Sequence, residues 1–157
     1  RADQRRSETS DGQRQTGGKE EMTGMFTILP EKEETFCAPI LERCGADGRE
    51  PAVLVARCGG EKLGYVALDL LDGQVRILEV VLYGKELDKL SGEEKDLAGS
   101  MVKAAASYGL NRQVFRAVCR QKSLFPLLKQ FGFEQIDDKM AIDFSQLIRK
   151  CKNCRSF

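Results

Sequence analysis

One acidic residue stands where a strand would otherwise be wholly apolar. In Val75 to Tyr83 (VRILEVVLY), residues Val75, Ile77, Glu79, Val81 and Tyr83 alternate, and a strand projects such residues to one face. A carboxylate among apolar neighbours is a candidate for a raised pKa and for proton transfer. The same placement also suits a cross-strand ion pair, with Lys62 or Arg57 as partner. The chain has no histidine, so the commonest general base and the commonest zinc partner are both missing. Catalysis here must use carboxylates, Tyr, Lys, Cys or water.

Six cysteines (Cys37, Cys44, Cys58, Cys119, Cys151 and Cys154) accompany no signal-peptide core, and this favours free thiols over a disulfide framework. Cys151 and Cys154 form a C-x-x-C flanked by Arg149, Lys150, Lys152 and Arg155. A zinc site normally takes four ligands, and no second C-x-x-C exists to complete one, so no metal site is expected. The pair is read as incidental thiols on a basic tail.

At 41% hydrophobic and 31% charged residues the chain is of ordinary globular composition, and 157 residues suit one domain. A formal net charge of +1 supplies no global field for nucleic acid or an anionic membrane. No stretch approaches the roughly 20 apolar residues of a membrane span. The expectation is therefore a cytoplasmic protein with neither nucleic acid nor membrane as partner. Residues 1–21 contain Ala2 as their only hydrophobic side chain and read as a disordered polar tail. A domain over 22–148, starting near Met22 or Met25, and a basic tail over 149–157 complete the organisation.

Within that domain strand and helix signals alternate. Met25–Leu29 reads as a strand stopped by Pro30, and Phe36–Cys44 as a helix closed by Gly45. Ala52–Cys58, Lys62–Leu70 and Val75–Tyr83 form a meander across Gly59-Gly60 and Asp72-Gly73. Ser91–Tyr108 is a helix, with Ser91 and Glu94 as a capping box, an apolar stripe through Leu97, Met101, Ala104, Ala105 and Tyr108, and Gly109 as its stop. Gln113–Cys119 is a strand, Leu124–Phe131 a short helix before Gly132, and Lys139–Phe144 a last strand. The order β-α-β-β-β-α-β-α-β demands one parallel pair in an otherwise antiparallel sheet, an α/β (α+β) architecture.

That order, with Leu127, Leu128, Lys129, Gln130, Phe131, Gly132 and Phe133 in the places of an L-Y-E-K-x-G-F phrase, resembles the GNAT superfamily of acyl-CoA-dependent N-acyltransferases. The resemblance implies a mixed, mostly antiparallel sheet flanked by helices, acetyl-CoA or another acyl-CoA as cofactor, and an amine-bearing small molecule or protein as acceptor. It places the diphosphate loop at Glu93 to Ala98, with Lys95, Asp96, Leu97 and Ala98 as cofactor contacts and Val81 and Tyr83 beside them on the fourth strand. Glu93 and Asp96 stand where the family has Gln or Arg and Gly, and both add negative charge at a helix start. The resemblance casts Glu79 as the base toward the amine. Leu128 stands where the family often has its acid, and Tyr108 or Tyr83 is the substitute proton donor. Two functions stay open: a divergent N-acyltransferase, or a non-catalytic binding or interaction module on the same fold.

Overall fold

The computed structural model describes residues 26–144. The polar tail, the Cys151/Cys154 pair and the basic C-terminal tail lie outside the described residues.

Seven strands form a single sheet, in the order β1-β2-β3-β4-β5-β7-β6. The strands are β1 (Phe26–Pro30), β2 (Arg49–Cys58), β3 (Glu61–Leu71), β4 (Gln74–Leu82), β5 (Arg116–Cys119), β6 (Glu134–Ile136) and β7 (Lys139–Asp143). The helices are α1 (Glu34–Cys44), α2 (Gly92–Leu110) and α3 (Phe125–Gln130). Six strands were expected; the additional one is β6, a three-residue partner of β7 whose side chains are all exposed. Pro30 lies inside β1 rather than after it, tolerated because β1 is an edge strand.

Asp72 and Gly73 both have positive φ (56° and 73°), the turn that joins β3 to β4. Every neighbouring pair is antiparallel except β4 with β5, which the α2 crossover makes parallel. Both faces of the central strands are covered. Leu54, Val66, Leu68, Val75, Ile77 and Val80 pack with α2 and α3, while Val53, Val55, Tyr65 and Ala67 pack with Ile40 of α1.

The capping box of α2 is formed: the Glu94 N–H donates to Ser91 Oγ at 3.4 Å and the Ser91 N–H to Glu94 Oε1 at 2.8 Å. The helix runs past its expected end, however. Gly109 lies within it and Asn111 caps it. A Cβ at position 109 would stand 2.2 Å from Val75 Cγ2, so the glycine serves close approach of helix to sheet rather than termination.

Candidate functional site

The geometry of the site follows from an irregularity in β4. Leu70↔Val75, Asp69↔Arg76 and Leu68↔Ile77 keep the register of the two-residue turn, but the next pairs are Ala67↔Glu79, Val66↔Val80 and Tyr65↔Val81. Leu78 is the extra residue of a bulge. One inserted residue exchanges the faces of everything after it. Val80 and Leu82, not Glu79 and Val81, therefore join Val75 and Ile77 in the core beneath α2. The expected single face of Val75, Ile77, Glu79, Val81 and Tyr83 is thus cut in two.

Past the bulge Glu79 belongs to the α1 side, among groups drawn from α1 and β3. Its Oε1 accepts from Arg43 Nη2 at 2.6 Å, from the Tyr65 hydroxyl at 3.0 Å and from the Cys44 thiol at 3.4 Å. Arg43 Nη2 also donates to the Tyr65 oxygen at 2.7 Å. Burial pushes the Glu79 carboxyl up, but the hydrogen bonds from Arg43, Tyr65 and Cys44 outweigh it, and its pKa ends below the ordinary value. The raised pKa expected from apolar neighbours does not occur, because the neighbours that matter are donors. Burial and the hydrogen bond to Glu79 push the Cys44 thiol up to about 11, and the same causes push Tyr65 to about 12. Cys44 is thus a neutral thiol at physiological pH and a poor nucleophile. The cross-strand ion pairs weighed for Glu79 are not made: Arg57 pairs with Glu31 at 2.5 Å and Lys62 lies over the Phe36 ring.

Glu79 lines a cavity of about 480 Å³ with Arg43, Cys44, Arg76, Arg120 and Gln121. Arg76 is held by Asp69, which is fully buried and also accepts from the Gly48 N–H at 2.8 Å. The cavity opens where β4 and β5 part. Their parallel pairing covers only Val75↔Ala117, Arg76↔Val118 and Ile77↔Cys119. Beyond it the Gln121 side chain reaches across: the Val80 N–H donates to Gln121 Oε1 at 2.7 Å, and Gln121 Nε2 donates to the Val80 carbonyl at 3.1 Å.

The other anticipated residues lie elsewhere. Tyr83 and Leu97 meet in a second depression of about 240 Å³ with Phe26, Leu63, Leu82, Lys85, Ser91, Glu93 and Glu94. Tyr83 is 44% exposed and packs edge-on to Tyr65, with ring centroids 6.1 Å apart. Val81 is half-buried against the α1 core. Lys95, Asp96 and Ala98 do not line this depression; Ala98 is fully buried under the sheet, and Lys95 and Asp96 are exposed. Lys95 to Ala98 also lie inside α2, where the Lys95 N–H already donates to the Ser91 carbonyl, so this stretch is no backbone cradle for a phosphate. Lys85 is engaged by Glu94 at 2.9 Å. Tyr108 sits toward the opposite end of α2, where its hydroxyl donates to the Glu50 carbonyl at 2.8 Å and Arg112 lies over its ring. It lines a separate hollow with Ile28, Leu54 and Arg112, so the structure does not unite it with Glu79. Leu128, in the place of the family's acid, is fully buried. Among the described residues no group of three or more acidic, Cys or His side chains is placed to hold a metal ion. No helix among them is long and apolar enough to cross a membrane.

Arg43, Tyr65 and Gln121 are the participants sequence reasoning missed. Tyr65 carried a usable signal, since it shares alternation with Ala67 on a strand paired to β4. Arg43 and Gln121 carried none; each reaches the site through tertiary placement.

No family model matches the sequence, and no curated protein matches it. Solved structures do resemble it. The ribosomal-protein-S18-alanine N-acetyltransferase of Escherichia coli superposes with a TM-score of 0.58 at 10% identity, over 76% of this chain and 94% of that one. A GNAT family N-acetyltransferase from Escherichia coli in complex with CoA gives 0.55 at 16% identity, over 76% and 82%. A GNAT family acetyltransferase from Brucella melitensis in complex with acetyl-CoA gives 0.55 at 13%, over 76% and 88%. The chain has the GNAT fold. At 10–16% identity its sequence has little in common with those of these structural neighbours.

Proposed function

We propose that the protein is a divergent GNAT-type N-acyltransferase that takes an acyl group from acyl-CoA and passes it to an amine held in the Glu79 cavity. The observation that carries this reading is the parting of β4 from β5 beside the bulge, with a carboxylate in the wall of the cavity it opens. A ligand arm carrying amides fits there, because the Val80 N–H and C=O point into the gap and already hold a carboxamide. The start of α2 does not fit a diphosphate as the family motif would have it. Its capping box occupies the Glu94 N–H, and Glu93 and Asp96 repel an anion.

Acyl-CoA, when bound, supplies an activated acyl carbonyl. The chain's own residues then orient the acceptor. Glu79, ionised at neutral pH, attracts a cationic amine. Arg43, Tyr65 and Cys44 fix one of its oxygens, and Oε2 takes none of those three bonds. A carboxylate held this acidic is a weak base, so Glu79 positions the amine and the proton passes to water. Leu128 cannot return a proton to the leaving thiolate, which water must also do.

The non-catalytic module has its own supporting observation: the pairing of Glu79 with Arg43 resembles a structural ion pair. Isothermal titration with acetyl-CoA, followed by an amine panel read by thiol release, separates the two. The transferase reading expects micromolar binding and turnover, with Glu79→Gln lowering kcat/KM at least about tenfold at unchanged acetyl-CoA affinity. Binding without turnover on any amine would leave the module. No binding at millimolar ligand would remove transfer as the function of the wild-type protein.

A further inference from the structure

Val80 is 1% exposed, and its N–H and C=O are turned away from β3 toward a strand that is no longer there. Buried peptide groups are rarely left without partners. Continuing the parallel ladder beyond Ile77↔Cys119 would bring the backbone near Gln121 to this place. The strands have parted, and the side chain of Gln121 does it instead. A carboxamide carries the same donor and acceptor as a peptide unit, so one side chain satisfies both groups of Val80.

We propose that Gln121 is a built-in, displaceable occupant of the gap between β4 and β5. An extended ligand that pairs with the β4 edge through an amide must first release Gln121, and binding is an exchange of one amide for another. The plug therefore selects ligands that replace both hydrogen bonds and disfavours purely aliphatic chains, which would leave Val80 unpaired. It also lowers apparent affinity by the fraction of molecules in which the gap is open. The identity of the incoming amide rests on the acyl-CoA reading above; the plug itself does not.

The test compares the wild-type protein with Gln121→Ala and with Gln121→Met, which retains bulk but neither hydrogen bond. Two quantities are read: hydrogen exchange of the Val80 amide by NMR without ligand, and acetyl-CoA affinity by titration. The expected result is Val80 exchange at least about tenfold faster in both variants relative to the β3 amides, with thermal midpoints lowered because Val80 loses its partners, and acetyl-CoA affinity about tenfold tighter. Should Gln121→Ala fail to fold, Gln121→Met gives the same reading. Unchanged Val80 exchange overturns the plug whatever the titration shows. Faster exchange with equal or weaker acetyl-CoA binding overturns the exchange of amides and makes Gln121 a ligand contact or a bystander. Binding by the variants alone upholds the proposal in its strongest form. Faster exchange with no binding by any of the three proteins upholds the plug and removes acyl-CoA as the ligand that displaces it.

Discussion

Glu79 is half-buried, and burial by itself would favour its neutral form; donors gathered on one oxygen reverse the balance. A carboxyl whose folded pKa lies below its unfolded value of about 4.3 stabilises the fold above that pH, and the contribution is lost as pH falls through the folded value. Thermal midpoints recorded from about pH 6 to about pH 3 will therefore fall more steeply for the wild type than for Glu79→Gln. Glu31, Asp47 and Glu94 are also held low, by Arg57, Arg76 and the Ser91 N–H respectively, and they add slope of the same sign to both proteins. Parallel curves would mean that the Arg43 network carries no weight in folding. The carboxylate itself was legible in the sequence, as the lone charge in an apolar face. Its surroundings were not, since Leu78 is as apolar as Ile77 and nothing local marks it as the residue that bulges. Arg43 arrives from a helix 36 positions away in sequence.

Elements were legible where a local rule decided them. The Asp72-Gly73 turn and the Ser91/Glu94 capping box formed as read, because each depends on residues within one turn of chain. Gly109 shows where such rules stop. A glycine after an apolar stripe reads as a helix stop, yet here it is the point at which α2 touches Val75. Gly109→Ala sets two effects against each other: alanine gains about 1 kcal/mol in helix propensity, while overpacking a closed core costs about 1–3 kcal/mol. With Val75 fully buried and the Val114 carbonyl also close, the clash should win. Urea denaturation will show a net loss of about 1–2 kcal/mol, with partial recovery when Val75→Ala is added. A stabilised single variant would show that the helix shifts freely. The β6 strand escaped notice for a simpler reason: Glu134, Gln135 and Ile136 are all exposed, so no buried face imposes a pattern on them.

For the whole molecule, stability should be graded across the sheet. Gly64 to Leu70 of β3 are buried without interruption, whereas β6 is an exposed edge of three residues. Native-state hydrogen exchange in low denaturant will find β6 amides opening locally, and β3 amides exchanging only with global unfolding. Equal protection in the two would indicate a single cooperative unit extending to the edge. The alternating fold order was readable because a strand-helix-strand crossover admits few topologies; the parting of β4 and β5, on which the site depends, begins where the ladder ends at Ile77 beside the Leu78 bulge, and no local pattern marks that point. Glu79 and the three groups around it have one more consequence. The carboxylate titrates below its ordinary range, Cys44 and Tyr65 near 11 and 12, and Arg43 higher still, with no histidine anywhere. Between about pH 5 and pH 10 this quartet is electrically silent. An inflection in a rate profile within that interval would then not come from these four groups, and changing the acceptor shows whether it moves with that amine's own basicity.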